Sequence, residues 1–354
     1  MLARIDLIHH GELIKVIVMM NYFHFATREE LLSYNSKRAS IIDFTGVESE
    51  DDSTTFAQAV DSCTSLAELK QSPSDYVIIG IPEDIGVRAN LGRAGAAQAW
   101  DAFLSSFLNL QHHSNNDAGR FCVLGHVILN DLMDECQSLN ANNHTERIQL
   151  SEAVQMIDQR VSTIVKEIKD LGKLPIVIGG GHNNCYPILK AFNGIDVINI
   201  DAHTDLRVAN GRHSGNGFSH ALEYGYLRNY FMIGLQENYL SKPMRDILHD
   251  DLRLSYTAYQ YDYMNIAEDI QLALDHIDST NYGLEIDMDV VANFPSSAQS
   301  PIGFSIERLR KTVKEILEVS DEMPRYIHIC EAAPIYGYPN QVGKALANFV
   351  NDLP

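Results

Sequence analysis

The sequence predicts an α/β fold in which helices cover both faces of a parallel sheet. Short apolar runs alternate along the chain with amphipathic segments of ten or more residues, which is the pattern of βαβ units. These runs are continuous rather than alternately polar, as expected of strands that are buried on both faces. Hydrophobic residues make up 45% of the 354 residues, so the chain can bury a substantial core.

The first predicted strands lie between residues 75 and 203. DYVIIGI at 75–81 is a buried strand that ends in a Gly/Pro turn, and FCVLGHV at 121–127 is the next strand. LPIVIGGGH at 174–182 and IDVINIDAH at 195–203 are each predicted to be a strand followed by a polar turn. A long helix precedes them, with one apolar face made by Val154, Ile157, Val161, Ile164, Val165 and Ile168.

The same alternation continues towards the C-terminus. Strands are predicted in YFMIGLQE, YGLEIDMD and RYIHICEAAP, which begin at residues 230, 282 and 325. Helices are predicted in IAEDIQLALDHI, in SIERLRKTVKEILEVS and from about Gln341 onwards. Polar stretches at 48–55, 111–119 and 138–146 are predicted to be loops.

Charge excludes several classes of partner. The formal net charge is −20, from 27 basic and 47 acidic side chains, whereas nucleic acids and anionic membrane surfaces favour basic proteins. A solvated acidic surface explains most of these charges, and binding of a cation is compatible with them. We therefore expect a small-molecule substrate, and neither nucleic acid nor membrane, as the partner.

Cysteine usage and hydropathy predict a cytoplasmic protein. The five cysteines are scattered without a C-x-x-C pair, which favours free thiols in a reducing compartment. No apolar run approaches the roughly 20 residues of a membrane span, and charged residues interrupt the N-terminal segment where a signal peptide would be apolar. We interpret the first twenty or so residues as an extension, since the sequence from Met20 is typical of a natural start.

Unusual polar residues follow four of the predicted strands. The carboxyl ends of parallel strands meet at one edge of a sheet, where open α/β folds bind their ligands. Burying carboxylates costs several kcal/mol unless positive charge compensates them, so such a cluster implies bound cations. The four strand ends supply five carboxylates and two imidazoles, from His182, Asp201, His203, Asp205, Asp287, Asp289 and Glu331.

The number and type of these side chains indicate a pair of divalent metal ions. One ion could not engage so many ligands, whereas two ions could share a bridging carboxylate. Asp oxygens with two His nitrogens and no Cys suit Mn(II), Fe(II) or Co(II) better than a thiolate zinc site. Two such ions ~3.5–4 Å apart would bind a water between them and lower its pKa, which supplies hydroxide for hydrolysis without a covalent intermediate.

Each motif also has an ordinary structural interpretation. A lone Asp at a strand end is usually a helix cap or a turn residue, and GGGH alone is a turn with an incidental His. A phosphate-binding loop is disfavoured, because the segment lacks GxGxxG and a following Lys. DAHTD at 201–205 has the most weight, since Asp201 and Asp205 would otherwise be buried charges without a partner.

From about Tyr76 to the C-terminus, these motifs resemble the ureohydrolase superfamily of arginases, agmatinases and formimidoylglutamases. The matching segments are GIPEDIGVRANLGRAGA at 80–96, GGGH, DAHTD, the E-I-D-M-D strand and the C-E-A-A-P segment. The resemblance implies a three-layer αβα fold with a mostly parallel sheet of about eight strands, assembled as trimers or hexamers, with two Mn(II) per subunit. It implies metal ligands at His182, Asp201, His203, Asp205, Asp287 and Asp289.

The resemblance also implies a role for Glu331 and a division of the chain. Glu331 matches the carboxylate that binds the amidine or guanidine group of the substrate. Residues 1–70 are predicted to be an N-terminal extension and helical lead-in. Residues 71–354 are predicted to be a single ureohydrolase-like catalytic domain.

Two departures from the arginase pattern are informative. Arginases and agmatinases usually carry S-F-D-x-D-x-x-D-P on the late strand, and this chain has Asn293-Phe294 in place of the Asp-Pro pair. They also have a His-Gly pair to which proton shuttling is attributed, where this chain has Ser214-Gly215 in an S-G-x-x-F pattern similar to the formimidoylglutamase branch. We predict His213 as the substitute shuttle, with His220 or an ordinary loop histidine as the alternatives.

Arginines near the motifs predict an anionic substrate. N-Formimidoylglutamate has two carboxylates, whereas agmatine is a cation, and guanidinium groups bind carboxylates in bidentate geometry. Arg88 and Arg93 lie in the Gly-rich segment, and Arg207 and Arg212 follow DAHTD. The alternative is that some of them neutralise neighbouring carboxylates or point into water. Our predicted substrate contacts are Arg93, Arg207, Arg212 and Asn216.

The predicted reaction is hydrolysis of N-formimidoyl-L-glutamate to glutamate and formamide. Hydroxide attacks the amidine carbon, Glu331 orients the amidinium, and Asp205 stabilises the tetrahedral intermediate and passes a proton to the leaving amine. One alternative is an arginase or agmatinase-like enzyme that releases urea from a guanidine. A second alternative, a zinc deacetylase on a related fold, is disfavoured because its single metal site needs fewer ligands. A third, a non-catalytic metal-binding regulator, is disfavoured because it would not require Glu331.

Overall fold

The computed structural model describes residues 21–35, 54–259 and 265–354. Met20 and most of the predicted loop at 48–55 lie outside the described residues. The strands are β1 (Phe23–Phe25), β2 (Thr54–Thr55), β3 (Tyr76–Gly80), β4 (Gln111–His112), β5 (Phe121–Val127), β6 (Leu174–Ile178), β7 (Ile195–Ile200), β8 (Leu227–Leu235), β9 (Leu254–Ala258), β10 (Tyr282–Asp287) and β11 (Ile327–Cys330).

The α-helices alternate with the strands of the larger sheet over most of the chain. They are α1 (Arg28–Ser33), α2 (Phe56–Ala59), α3 (Leu66–Gln71), α4 (Ile85–Ala89), α5 (Ala99–Phe107), α6 (Asn130–Cys136), α7 (His144–Asp170), α8 (Cys185–Phe192), α9 (Gly217–Glu223), α10 (Lys242–Asp250), α11 (Ile266–His276), α12 (Ile306–Val319) and α13 (Gln341–Asn351). The helices predicted from their apolar faces, including the long α7 and the closing α13, are therefore present.

Nine strands form one sheet in the order β1-β5-β3-β6-β11-β10-β7-β8-β9. β1 is antiparallel to β5, and the other neighbouring pairs are parallel. The predicted α/β fold with a mostly parallel sheet is confirmed. The antiparallel edge strand β1 is an addition that the sequence pattern did not indicate. It also joins the described part of the N-terminal segment to the sheet, while the domain boundary at residue 70 stays a prediction.

Successive residues of the central strands pack into two separate cores, one on each face of the sheet. In β6, Ile176 and Ile178 belong to one core and Val177 to the other. The first core is completed by helices that include α5 and α13, and the second by helices that include α7 and α8. This arrangement explains the continuous apolar runs, because neither face of a central strand meets water. The result is the three-layer αβα architecture.

Four neighbouring strands at the centre of the sheet position the unusual polar residues. These strands are β6, β11, β10 and β7, in that spatial order. They run parallel to one another, so their carboxyl ends lie at the same edge. Strand pairing therefore brings together motifs that lie as much as a hundred residues or more apart in the sequence.

Two further features concern the chain as a whole. Among the described residues, no helix combines the length and the apolar character that crossing a membrane requires. The five cysteines are buried and carry free thiols.

Candidate metal centre

His182 is brought to the sheet edge by the glycine turn that follows β6. Gly179 has φ 90° and Gly180 has φ 75°, a left-handed conformation that side chains other than glycine rarely adopt. The imidazole that follows is fully buried. Its Nδ1 lies 3.2 Å from Asp201 Oδ2, 3.0 Å from Asp205 Oδ2 and 3.1 Å from Asp287 Oδ2. One imidazole nitrogen and three carboxylates from three strand ends therefore converge on one point.

A second cluster forms around His203, which follows β7. His203 Nδ1 lies 3.1 Å from Asp289 Oδ2 and 3.7 Å from Asp201 Oδ1. Asp201 thus presents one oxygen to each cluster, as the prediction of a bridging carboxylate requires. The structure brings together all six side chains that were predicted as metal ligands; their role as ligands stays a proposal.

The polar atoms of the two clusters fit a pair of divalent cations. Within each cluster, potential ligand atoms lie within 4.8 Å of one another. His182 Nδ1 and Nε2 and Asp289 Oδ1 are buried, and no residue gives them a hydrogen bond. Buried polar atoms without a partner are rare in native proteins, and a bound ion would satisfy them. The carboxylate and imidazole donors suit Mn(II) or Fe(II).

The pKa shifts of these groups also indicate that positive charge would stabilise the clusters. Burial lowers the pKa of His182, but its acidic neighbours, which include Cys330, Asp201 and Asp205, raise it well above its usual range. Burial also lowers the pKa of His203, and the Asp289 carboxylate outweighs this effect, so that this pKa is also raised well above its usual range. Burial and the neighbouring carboxylates raise the pKa of Asp287 well above its usual range. The cluster therefore attracts either protons or cations.

Two residues of the site have a strained backbone. Asp205 has φ 49° and Glu331 has φ 61°, and neither is glycine. Such left-handed conformations cost about 1–3 kcal/mol and persist where the surrounding structure fixes them, often at functional sites. Here they turn both carboxylates into the cavity, which both residues line.

Glu331 is held by two donors. Its Oε1 accepts a 2.7 Å hydrogen bond from the backbone N–H of His182, and its Oε2 accepts one from the Ser297 hydroxyl. Burial raises the pKa of Glu331 to about 8, although these hydrogen bonds favour the carboxylate. An arriving cation would favour ionisation. The carboxylate is thus fixed in place for a cationic group, as the predicted amidine contact requires.

A cavity of about 510 Å³ borders the clusters. His203, Asp205, Asp287 and Asp289 form its acidic floor. Its wall contains Glu331, Ser297 and Tyr239 together with two arginines, Arg93 and Arg207.

The two wall arginines are held differently. Arg93 Nη2 donates to Ser296 O at 2.8 Å, Nε donates to Ser297 O at 3.2 Å, and the guanidinium lies 4.1 Å from the centre of the Tyr336 ring. Arg207 is exposed, and its guanidinium makes no hydrogen bond or ion pair with any described residue. Two of the predicted substrate contacts therefore lie on the cavity.

The structure gives the other two predicted substrate contacts a different role. Arg212 is 4% exposed, and its guanidinium binds Asp158 through Nε at 2.8 Å and Nη2 at 3.1 Å. Asn216 is fully buried, and its Oδ1 accepts from Arg212 Nη1 and from the backbone of His213. Neither residue lines the cavity, because both are used to build the loop that follows DAHTD. Arg88 is likewise occupied by the carbonyls of Cys136 and Leu139.

His213 lies beside the site rather than in it. It lines a neighbouring cavity, which shares Arg207 with the first, and its Nδ1 accepts from the backbone N–H of Gly215 at 3.2 Å. Burial, with repulsion from Arg207, lowers the pKa of His213 to about 4. The imidazole is therefore neutral near pH 7. His213 therefore does not line the cavity that borders the candidate ligands, and its role as the proton shuttle stays a prediction.

Three buried residues near the site were not identified from the sequence. Glu83, in the Gly-rich segment, accepts from Asn184 Nδ2 at 2.7 Å and from the backbone N–H of Gly181, so it braces the glycine turn. Glu285 and His328 are fully buried and form a 2.6 Å contact. A charged residue inside a strand that is buried on both faces was the available signal.

Comparison with known proteins gives the family of the chain. The α/β fold and two ligand clusters that share a carboxylate beside a cavity define a candidate binuclear metallohydrolase. The arginase family model matches residues 74–353, and the chain belongs to the arginase family. This membership confirms the predicted class, a hydrolase that acts on C–N bonds of linear amidines.

Two curated relatives are named formimidoylglutamases. The chain is 26% identical to a formimidoylglutamase of Macrococcus caseolyticus over 283 residues, which cover 78% of this chain and 83% of the relative. It is 27% identical to a formimidoylglutamase of Chromobacterium violaceum over 247 residues, which cover 65% of this chain and 71% of the relative.

Solved structures share the fold. Trypanosoma cruzi formiminoglutamase with Mn²⁺ has a TM-score of 0.64 at 20% identity, with 86% of this chain and all of that chain covered. Bacillus subtilis formimidoylglutamase has a TM-score of 0.66 at 16% identity, with 90% and 96% covered. An agmatine ureohydrolase of Thermoplasma volcanium has a TM-score of 0.60 at 18% identity, with 79% and 89% covered. At these identities the likeness shows the fold and does not distinguish the substrates.

Proposed function

We propose that the protein hydrolyses N-formimidoyl-L-glutamate to L-glutamate and formamide. The observation that carries this assignment is the division of charge in one cavity. A buried carboxylate, Glu331, and an acidic floor lie beside two guanidinium groups, those of Arg93 and Arg207. A substrate with a cationic amidinium at one end and carboxylates at the other matches this division. The formimidoylglutamase names of the curated relatives support the same choice.

Two Mn(II) ions fit the donor set as cofactors. His182, Asp201, Asp205 and Asp287 would hold one ion, and Asp201, His203 and Asp289 the other. A bound pair of divalent ions supplies a hydroxide nucleophile at neutral pH by lowering the pKa of water. The Mn²⁺ of the Trypanosoma cruzi formiminoglutamase structure supports this metal, and Fe(II) or Co(II) would suit the same donors.

The residues of the chain bind and orient the substrate. Glu331 accepts hydrogen bonds from the amidinium and remains in place because Ser297 and the backbone of His182 hold it. The Arg207 guanidinium, which has no hydrogen bond or ion pair with a described residue, is available for a carboxylate of the glutamate moiety. Arg93 has its Nη1 free of the contacts that position its Nε and Nη2. The reacting amidine carbon is thereby presented to the acidic floor.

Asp205 is suited to move the proton. Its carboxylate lines the cavity in which the substrate would bind, so it can accept a proton from water and release it. Water adds to the amidine carbon, and the Asp205 carboxylate takes the proton that water loses. Transfer of that proton to the glutamate nitrogen allows the bond between this nitrogen and the amidine carbon to break. The products are formamide and the free amine of glutamate, and His213 is not needed.

A product assay tests the proposal. The chelated protein reloaded with Mn(II) is incubated separately with N-formimidoyl-L-glutamate, L-arginine, agmatine and 4-guanidinobutyrate, and formamide and urea are measured. We expect formamide from the first substrate and no urea from the other three. Urea from arginine or agmatine would contradict the substrate assignment, and absence of every product would contradict the enzymatic role. A cytoplasmic homotrimer or homohexamer stays a prediction.

A further inference from the structure

Glu285 is a buried carboxylate that the reaction described above does not use. It lies inside β10, directly opposite His328 of the neighbouring strand β11. Glu285 Oε2 lies 2.6 Å from His328 Nδ1, and Glu285 Oε1 accepts a 2.8 Å hydrogen bond from the Tyr326 hydroxyl. All three side chains are fully buried. Two neighbours therefore fix both oxygens of this carboxylate.

The free side of Glu285 faces His182. Glu285 Oε2 lies 3.5 Å from His182 Nε2. This is the shortest ion-pair contact between the two side chains, and His182 Nε2 has no hydrogen-bond partner among the described residues. The opposite nitrogen, Nδ1, faces Asp201, Asp205 and Asp287. The imidazole is thus placed between Glu285 and the first ligand cluster.

This placement has a chemical consequence for metal binding. A histidine ligand must offer the lone pair of one nitrogen while the other nitrogen carries the proton, and a carboxylate that accepts this proton fixes both the tautomer and the ring orientation. The 3.5 Å separation exceeds an ordinary hydrogen bond, and a movement of about 0.5 Å closes it. With both Glu285 oxygens held by Tyr326 and His328, the carboxylate cannot simply turn away.

The second cluster lacks such a support. His203 is 31% exposed and packs beside Tyr239, with ring centroids 5.0 Å apart. Its shortest contacts with Asp201 and Asp289 are both made by Nδ1, so its acidic neighbours approach the nitrogen that faces the cluster.

We propose that Glu285, held by Tyr326 and His328, is the positioning residue of His182 and confers tight binding on the metal site formed by His182, Asp201, Asp205 and Asp287. The proposal rests on the metal centre of the proposed function. It assigns unequal affinities to the two sites, with the Glu285-supported site the tighter. Glu285 does not touch the substrate, so its effect on turnover is transmitted through the metal.

Metal binding without substrate tests the proposal. The full-length chain and its Glu285→Gln variant are stripped with a chelator and titrated with Mn(II) alone, with calorimetry for affinity and electron paramagnetic resonance for the state of the ions. We expect two ions to bind to the unaltered chain with the spectrum of a coupled pair. In Glu285→Gln one site should lose about 10–100-fold in affinity, the cost typical of an outer partner of a metal ligand. At one equivalent the unaltered chain should give the six-line spectrum of isolated Mn(II), because its tighter site fills first.

Asp196→Asn is the matched control. Asp196 is also fully buried, on β7 at the opposite end of the sheet, where its oxygens accept from Asn229 and from the backbone of Asp278. Replacing this carboxylate by an amide should reduce stability and leave both Mn(II) affinities unchanged. A general loss of core stability would act alike in the two variants, whereas the loss of one metal affinity should occur only in Glu285→Gln.

The outcomes separate this proposal from the proposed function. Failure of the unaltered chain to bind Mn(II) contradicts the metal centre and, with it, the role of Glu285. Two undiminished affinities in a folded Glu285→Gln protein contradict the role of Glu285 alone. If that variant does not fold, Glu285→Asp is used instead, because it keeps the negative charge on a side chain that is one methylene shorter. A smaller loss at the same site is then expected, and an unchanged affinity contradicts the proposal.

Discussion

The floor and the wall of the cavity are built in different ways. The floor consists of His203, Asp205, Asp287 and Asp289, and the fully buried ligands His182 and Asp201 belong with it. These six residues follow the ends of β6, β7 and β10. In the wall, Arg93, Arg207 and Ser297 lie on longer loops, whereas Glu331 directly follows β11. Floor residues are held by buried strands, whereas Arg207 is exposed. Chemistry is therefore placed on the rigid part of the fold and substrate selection on its loops.

This comparison predicts that changes in the floor abolish metal binding and that changes in the wall spare it. The largest effect is expected for Asp201→Asn, because Asp201 belongs to both clusters. An outer partner of a metal ligand is typically worth about 10–100-fold, so loss of a shared ligand should cost more than ~100-fold in both Mn(II) affinity and formamide release. Metal analysis after gel filtration and a formamide assay measure it. Retention of two ions would refute the shared role, and Asp196→Asn is again the control.

The next largest effect is expected in the wall, for Glu331→Gln. The amide can still accept from the backbone of His182, but it no longer offers a negative charge to an amidinium. Loss of a charge-assisted contact should lower kcat/KM for formimidoylglutamate by about 10²-fold. Both Mn(II) ions should remain bound. Loss of metal from this variant would show that Glu331 contributes to metal binding, as the floor residues do, and would contradict the distinction between floor and wall.

A smaller effect is expected for Arg207→Ala. Removal of a guanidinium that faces a substrate carboxylate should raise KM by about 10-fold and leave kcat within about threefold. Arg207→Lys should be intermediate, because a point charge replaces the planar fork. An N-alkylformamidine without carboxylates is the substrate control, since the variant should process it as the unaltered enzyme does. An equal loss with both substrates would show that Arg207 does not recognise the anion.

The smallest effect on activity is expected for His213→Gln, which should change kcat by less than about threefold at pH 7–9. Its effect on stability should appear in acid. Burial lowers the pKa of His213 to about 4 in the folded protein, below the ~6.5 of an unfolded histidine. The unfolded chain therefore binds the proton more readily, and stability is lost as the pH falls from about 6.5 to about 4.

The His213→Gln variant should lose less free energy of unfolding between pH 7 and pH 4.5 than the unaltered chain. The difference should be on the order of 1–3 kcal/mol, measured by urea denaturation at both pH values. Identical losses in the two proteins would show that the imidazole is not buried as the structure has it. A hundredfold loss of kcat would restore His213 as the proton shuttle.

The floor could be predicted from the sequence residue by residue, and the wall only in part. Parallel strands bring their ends together whatever their order, so His182, Asp201 and Asp289 could be grouped before the strand order was known. The role of Arg212 could not be predicted, because its partner Asp158 lies 54 residues earlier on α7. Distances of that kind depend on how helices pack on the sheet, which the local pattern does not encode.

The roles of Glu285 and His328, which lie behind the floor, could have been predicted from the sequence. Glu285 and His328 interrupt two apolar strands, and a charged residue inside a strand buried on both faces needs a partner. The parallel pairing of β10 and β11 then sets them opposite one another. The edge strand β1 gave little signal, since three residues are too few for a periodic pattern.

Metal titration coupled to product formation tests the central claim most directly. The chelated full-length protein is titrated with Mn(II), and formamide release from N-formimidoyl-L-glutamate is followed at each addition. The binuclear centre predicts negligible release from the metal-free protein and a rise that ends at two ions per chain. Full formamide release by the metal-free protein, or no release with two ions bound, would contradict it.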